Sequence, residues 1–385
     1  MIKDRVIPFG RPWVTEEDRQ AVMEVLKGDV LTHGPQCKSF EEEFSGFMKG
    51  EGHSISVSSG MAALHLSYFQ MGIGKGDEVI VPAMTHTATV HAVEVMGARP
   101  IFVDCELKTG NIDINQIENR ISPHTKAIGL VHFLGIPCQM DQLMDLAGKY
   151  KLKVVEDCAL AIGSRFAGKH VGLFGESGCF SFYPIKQMTT GEGGMFVTAH
   201  SSVAQKVHKA RAFGVDRSFS ERSIPGMYDV KSLGLNYRMS DINATLGRCQ
   251  LRRMYDIFNR RKENFEYLKS KLSGIEDLSI LDANHPKATN SYYCLSVVLL
   301  GKLGDKRDEL VAKLKASGIG TSIYYPQPVP RFTYYKDKYG YNEKEYPNAV
   351  LISDRSIALP VGPHLKKDDM EYIGDRFQQI VKEVL

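Results

Sequence analysis

A lysine stands where a core strand should end. Cys179-Phe180-Ser181-Phe182-Tyr183 reads as a short buried strand that runs through Pro184-Ile185 into Lys186. A glycine-containing loop, Thr190-Gly191-Glu192-Gly193-Gly194, then leads to a second apolar run, Met195-Phe196-Val197-Thr198. Lysine is almost never fully buried without a partner. Two readings compete for Lys186: a desolvated amine that forms a Schiff base with a carbonyl compound, or a surface lysine in a hairpin loop. The remaining strand ends have to separate them.

Three of those ends carry polar groups. Ser59-Gly60-Met61-Ala62-Ala63-Leu64 opens a helix with small residues. Unpaired backbone N–H groups at such an end make a phosphate site, although an ordinary capped helix reads the same way. Met84-Thr85-His86-Thr87 puts an imidazole after a strand, able to stack on a flat ring or to sit in a loop without a task. Val154-Val155-Glu156-Asp157-Cys158 ends an apolar strand in acids, which are costly to desolvate unless paired. There the alternatives to a ligand contact are a helix N-cap and a structural ion pair.

The elements that must position these groups alternate regularly. Strands are expected at 53–58, 78–82, 100–103, 127–132 and 154–157, with helices at 61–71, 87–96, 113–121 and 140–149 between them. Short strands that are apolar throughout, alternating with helices of about ten residues, predict an α/β fold with a parallel sheet covered on both faces. Ligands then bind beyond the carboxyl ends of the strands, where all four polar stretches lie. A polar region from Gly214 to Ser232 is the candidate for a long functional loop. One long helix is expected to carry Ile242 through Leu268, followed by strands at 292–300 and 319–325 and a final helix at 367–384. The domains implied are residues 1–250, large, and 251–385, a small α+β unit.

Composition narrows the function. The 385 residues are 43% apolar and 24% charged, with a net charge of only +3 and no dominant basic run, so nucleic acid is not the expected partner. The N-terminus lacks the apolar core of a signal peptide, and no uninterrupted run of about 18 apolar residues predicts a membrane span. Seven cysteines are scattered singly, without C-x-x-C or H-E-x-x-H, which argues against a metal site and for reduced thiols in a cytoplasm. Gly72-Ile73-Gly74-Lys75-Gly76 follows a helix rather than a strand and is a poor dinucleotide fingerprint.

A single ligand accounts for a phosphate-ready helix end, a flat residue, an acid and an amine at four strand ends. Pyridoxal 5′-phosphate has a phosphate, an aromatic ring, a pyridine nitrogen that pairs with a carboxylate and an aldehyde that takes an amine. Asp157 is then expected to hold the pyridine nitrogen protonated. Lys186 carries the Schiff base and shuttles the proton, and Ser181, five residues earlier, binds phosphate.

The combination of Ser59-Gly60 with Ala62-Ala63-Leu64, Glu156-Asp157-Cys158-Ala159, Ser181-Phe182 with Lys186 and its glycine loop, and Asn236-Tyr237-Arg238-Met239-Ser240 resembles the DegT-type sugar aminotransferases. These are pyridoxal-phosphate enzymes of fold type I, which have a mostly parallel seven-stranded sheet. The resemblance runs from about residue 7 to the C-terminus. It implies that Gly60 and Met61 donate backbone N–H groups to the phosphate and that His86 takes the stacking position. It also implies that Asn236 reaches the phosphate of a neighbouring subunit, making a homodimer with shared sites. The implied substrates are an amino-acid donor, glutamate, and a nucleotide-linked keto sugar. The Thr190–Gly194 loop resembles members that act at C4, which favours a 4-keto-6-deoxyhexose.

Three positions depart from that pattern. Met61 replaces a usual threonine, Leu160 a polar residue, and Tyr325-Pro326-Gln327-Pro328-Val329-Pro330 lacks a usual histidine. Two alternatives compete with transamination. A sugar dehydratase of the same family carries histidine at the lysine position, so Lys186 argues against it. A non-catalytic pyridoxal-phosphate-binding regulator has no need of Asp157 and Lys186 together.

Overall fold

The computed structural model of the chain describes residues 5–216, 224 and 226–385. Its first nine strands are β1 His53–Val57, β2 Glu78–Pro82, β3 Arg99–Val103, β4 Thr125–Val131, β5 Lys153–Asp157, β6 Arg165–Phe166, β7 Lys169–His170, β8 Ser177–Ser181 and β9 Gly194–Thr198. Seven of these make one sheet in the order β1-β9-β8-β5-β4-β2-β3. All neighbours from β8 to β3 are parallel, and β9 runs antiparallel to both β1 and β8. The central strands are buried on both faces, which is why they read as unbroken apolar runs rather than as alternation.

Register brings the chemistry to one edge. Val131 lies opposite Asp157, and Asp157 opposite Cys179. Ser181 and Val57 both lie opposite Gly194. The carboxyl ends of β1, β5 and β8 and the start of β9 therefore meet at the same rim of the sheet.

A second core gathers Phe265, Leu268, Leu295, Val297, Ile357, Leu359, Ile373 and Phe377. Its antiparallel sheet has the order β10 (Leu278–Ile280), β12 (Leu295–Leu299), β13 (Ser356–Leu359), while β11 (Ala288–Thr289) pairs with β6. Ile7 joins this core from the other end of the chain, bridging in parallel to Ile319. Gly10 follows close against the active loop, where an added Cβ would stand 3.3 Å from Ile185 Cγ2.

Four expectations need correction. The buried strand expected at 179–183 is Ser177–Ser181, and Tyr183 is exposed in the loop that follows. The helix through Ile242 and Leu268 is two helices, Asp241–Arg252 and Met254–Leu272. The break falls at Arg253 (φ −101°, ψ 6°), whose guanidinium makes two 2.7 Å bonds to the two oxygens of the buried Asp18. The strand expected from Tyr292 starts only at Leu295, because Tyr292 has a left-handed backbone (φ 55°). The strand expected at 319–325 is reduced to isolated bridges at Ile319 and Ser322. Of the polar region 214–232, residues 217–223 and 225 lie outside the described residues; its flanks pair at Val215 and Val230.

Candidate active site

Asp157 is 4% exposed at the end of β5. Its Oδ2 accepts a 2.7 Å hydrogen bond from Thr89 Oγ1, and its Oδ1 accepts one of 2.9 Å from the Ala159 N–H. Thr89 lies in helix Thr87–Glu94, and its hydroxyl is 2.7 Å from that of Thr85, one helical turn earlier. The helix thus turns the buried Thr89 hydroxyl onto the carboxylate, with Thr85, which precedes the helix, bonded behind it. This bond and that from Ala159 keep the carboxylate oriented where little water reaches it.

Lys186 follows β8 in a tightly closed loop. Phe182 N–H donates to Gly193 O (2.9 Å), Thr190 N–H to Phe182 O (3.0 Å) and Lys186 N–H to Tyr183 O (2.9 Å). Asn243 clamps the loop from outside, donating to Thr190 O at 2.6 Å and Glu192 O at 2.9 Å. The side chain is half-buried, and its Nζ stands 5.6 Å from the centroid of the Tyr293 ring. Dense surroundings lower the amine pKa to about 8, partly opposed by the negative charge of Asp157. A neutral, nucleophilic amine is therefore available near physiological pH.

The phosphate-ready turn lies across the rim. Ser59 caps helix Gly60–Met71, its hydroxyl accepting from Ala62 N–H at 3.1 Å, and its carbonyl accepts from Ala63 N–H at 3.3 Å. Those bonds use the third and fourth N–H groups and leave those of Gly60 and Met61 at the open helix end. Gly60 is required by close approach, since a Cβ there would meet Ser181 Cβ at 2.9 Å. Gly194 shows the same constraint from β9, where a Cβ would come within 2.7 Å of Gly60 N. Gly60, Met61 and Ser181 are thus brought together.

His86 is exposed at the N-cap of the Thr87–Glu94 helix, accepting from Ala88 N–H through Nδ1 (3.1 Å) and edge-on to Tyr325 at 5.5 Å. Its close surroundings and the Lys186 charge hold the imidazole below its usual pKa. Asn236 is exposed and bridges Ala212, and its neighbour Tyr237 accepts from Ser58 N–H at 2.8 Å, beside the phosphate turn. Leu160 is buried, and its carbonyl accepts from Gln187 Nε2 (2.5 Å) and Ser291 Oγ (3.1 Å). Val329, in the segment without the usual histidine, donates its N–H to Ala83 O at 2.8 Å.

Thr89, Gln187 and Tyr293 were missed in the sequence. Thr89 had one usable signal: it is a small hydroxyl in the first turn of a helix that must face the sheet. A different group, His132, Glu156 and Cys158, lies close enough to hold a metal, with candidate atoms within 4.8 Å of one another. Its carboxylate and imidazole are already occupied. Glu156 accepts from the N–H groups of Gly172 (2.7 Å), Phe174 (2.7 Å) and Gly175 (2.8 Å) and pairs with His132 Nε2 (3.1 Å). His132 Nδ1 accepts from Cys138 N–H at 3.1 Å. This group is a brace beneath Asp157.

The residues at the rim fit pyridoxal 5′-phosphate: a cradle that a Cβ would fill, two open helical N–H groups, an oriented carboxylate and an amine of lowered pKa.

Known proteins match this chain along its length. The model of the DegT/DnrJ/EryC1/StrS aminotransferase family matches residues 12–378. The spore coat polysaccharide biosynthesis protein SpsC of Bacillus subtilis is 34% identical over 386 residues, which cover 99% of this chain and 98% of that protein. GDP-perosamine synthase of Escherichia coli O157:H7 is 33% identical over 384 residues, covering 98% of this chain and 100% of that protein. Spr1654 of Streptococcus pneumoniae, described as a sugar aminotransferase and solved in a PMP form, superposes with a TM-score of 0.93 at 28% identity, covering 98% of this chain and 100% of that one. Its PLP form superposes with a TM-score of 0.92. Matched from end to end in both sequence and fold, the chain belongs to the DegT/DnrJ/EryC1/StrS aminotransferase family: it is a sugar aminotransferase that uses pyridoxal 5′-phosphate.

Proposed function

We propose that this enzyme moves an amino group from L-glutamate to the keto group of a nucleotide-linked 4-keto-6-deoxyhexose, and that it works as a cytoplasmic homodimer with shared sites. The observation that carries the reading is the meeting of the low-pKa Lys186 amine with the buried, doubly hydrogen-bonded Asp157 at one sheet rim. For the sugar, support comes from the Thr190–Gly194 loop, which resembles members acting at C4, and from a relative named for a GDP-linked product.

The chain's residues divide the work as follows. Gly60 and Met61 N–H and the Ser181 hydroxyl would hold the cofactor's phosphate at the positive helix end, which Ser59 caps. His86 would cover the ring. Asp157, held by Thr89 and the Ala159 N–H, would keep a proton on the ring nitrogen. When bound, pyridoxal 5′-phosphate supplies an electron sink for the pair released as the donor's α proton leaves. Lys186 takes that proton and returns it one position away, a role that suits an amine with a pKa of about 8.

The shared site rests on Asn236. It is exposed, and on the same stretch Met227, Val230 and Leu233 expose 61%, 56% and 73% of their surfaces. A cleft of about 1400 Å³ lined by Ser56, Arg211, Phe213 and Arg238 opens beside it. Apolar exposure on that scale marks a protein interface, and a second copy would carry Asn236 to the partner's phosphate turn.

The test is a panel of 4-keto and 3-keto nucleotide sugars incubated with glutamate, with products separated and detected by ultraviolet absorbance. Amination of a 4-keto-6-deoxyhexose is expected. Turnover confined to 3-keto sugars refutes the regiochemistry, and loss of a water in place of amination revives the dehydratase.

A further inference from the structure

Tyr293 does nothing in the scheme above, yet it is 4% exposed with its ring under the Lys186 amine, 5.6 Å from centroid to Nζ. It is also unusually well fixed. Its hydroxyl lies 2.8 Å from that of Tyr324. Its carbonyl accepts a 2.8 Å bond from Arg261 Nη1, which also reaches Tyr292 O at 3.3 Å. Arg261 is 5% exposed, and its bonds among the described residues run to these carbonyls rather than to a carboxylate. Tyr292 holds its left-handed backbone with its N–H bonded to Asn290 Oδ1 at 2.8 Å. Gln187, the residue after Lys186, donates to Ser291 Oγ at 3.0 Å and so ties the lysine loop directly to this turn.

A turn clamped on three sides presents one aromatic face to one amine. We propose that Tyr293 is a positioning residue for Lys186: its ring face is where the amine rests, in its charged form, whenever it is not joined to the cofactor. That state recurs in each turnover, because the amine that has taken the proton must wait within reach to return it. A cation over an aromatic face within about 6 Å is attracted by the ring quadrupole, more strongly when desolvated. The other titratable groups facing this amine are Asp157 and His86, with Tyr324 and Tyr325 packed behind Tyr293. Asp157 attracts the ammonium and a protonated His86 would repel it, and the ring adds a fixed contact to these charges.

This inference rests on Lys186 being the amine that holds the cofactor. Borohydride reduction of the holoenzyme followed by peptide mass spectrometry tests that point separately, by locating the fixed cofactor. The inference itself is tested with holoenzyme driven by excess amino donor into its aminated form, in which Lys186 is free. Labelling of Lys186 by an amine reagent is followed from pH 6 to 10 by mass spectrometry. Two near-isosteric replacements at position 293 are compared, phenylalanine and pentafluorophenylalanine, the latter having a reversed ring quadrupole. With Tyr293→Phe the labelling profile should stay in place. With the fluorinated ring it should move to lower pH, raising labelling at pH 7 by roughly two- to eightfold, while the sugar half-reaction slows. A structural defect that merely exposed the lysine would raise labelling at every pH without moving the midpoint of the profile. Coincident profiles for the two rings, in variants that still bind cofactor, overturn the proposal. So does a Tyr293→Phe profile displaced as far as the fluorinated one, which would assign the effect to the hydroxyl.

Discussion

Replacing Thr89 with valine removes one oxygen and almost no volume, and among the described residues it removes one of the two hydrogen bonds to the Asp157 carboxylate. Oδ2 loses the 2.7 Å bond from Thr89, while Oδ1 keeps the 2.9 Å bond from Ala159. At 4% exposure the carboxylate has little water to turn to, and Thr85 loses its partner at 2.7 Å as well. A hydrogen bond to a charged group contributes about 1.5–3 kcal/mol. If Asp157 holds the ring nitrogen's proton, most of that is lost where negative charge must stay ordered, which corresponds to a roughly 10- to 150-fold slower donor half-reaction. Stopped-flow absorbance in a single turnover with glutamate measures it directly. Thr89→Ser should recover to within about threefold, because the hydroxyl is restored. If the valine variant reacts within twofold of wild type with cofactor fully bound, the Thr89–Asp157 bond has no part in catalysis and the case for an oriented carboxylate fails.

Capture of pyridoxal 5′-phosphate by cofactor-free enzyme needs the neutral amine, whose pKa is lowered, so its rate should climb with pH and level off above about 8. At that pKa about one amine in ten is neutral at pH 7, against about one in 3,000 at the ordinary value of 10.5; a rate still rising tenfold per pH unit at pH 9 contradicts the lowered value. Gly60→Ala forces a Cβ to 2.9 Å from Ser181 Cβ, a strain of about 1–3 kcal/mol at the phosphate turn. Cofactor affinity measured by equilibrium dialysis should fall about tenfold or more, and unchanged affinity would show that the cradle does not hold phosphate. Glu156→Gln turns an amide toward at least one of four donors and should lower the unfolding free energy in urea by about 3–5 kcal/mol, a loss that cofactor does not repair. A loss under 1 kcal/mol would mean the brace is dispensable.

What the sequence disclosed and what it hid have a common physical origin. The parallel strands were legible because burial on both faces leaves a continuous apolar run, as in Val154-Val155 and Ala127-Ile128-Gly129-Leu130-Val131. Asp157 and Lys186 stood out because each is a charged type at the end of such a run. The break at Arg253 was not legible: residues on both sides keep helical periodicity, and the cause is Asp18, 235 positions away. Tyr292 was drawn into a strand because aromatic residues favour strands, and its left-handed backbone is imposed by contacts with Asn290 and Arg261. Thr89 and Gln187 look like ordinary polar residues, since their meaning lies in partners 68 and 104 residues distant. Local pattern finds the groups that carry chemistry, while the groups that aim them are set by tertiary contact.

Ile7 pairs with Ile319 and buries itself among side chains drawn from residues 265–384. A ribosome releases Ile7 well before these partners. The segment that leads past Gly10 onto Ile185 therefore has nowhere to dock until most of the chain has emerged, and such long-range closure is slow. The wall beside Lys186 is among the last parts of the protein to be completed. A chain cut before residue 319 would lack the bridge that holds Ile7, and with it the anchor for the segment that packs on Ile185.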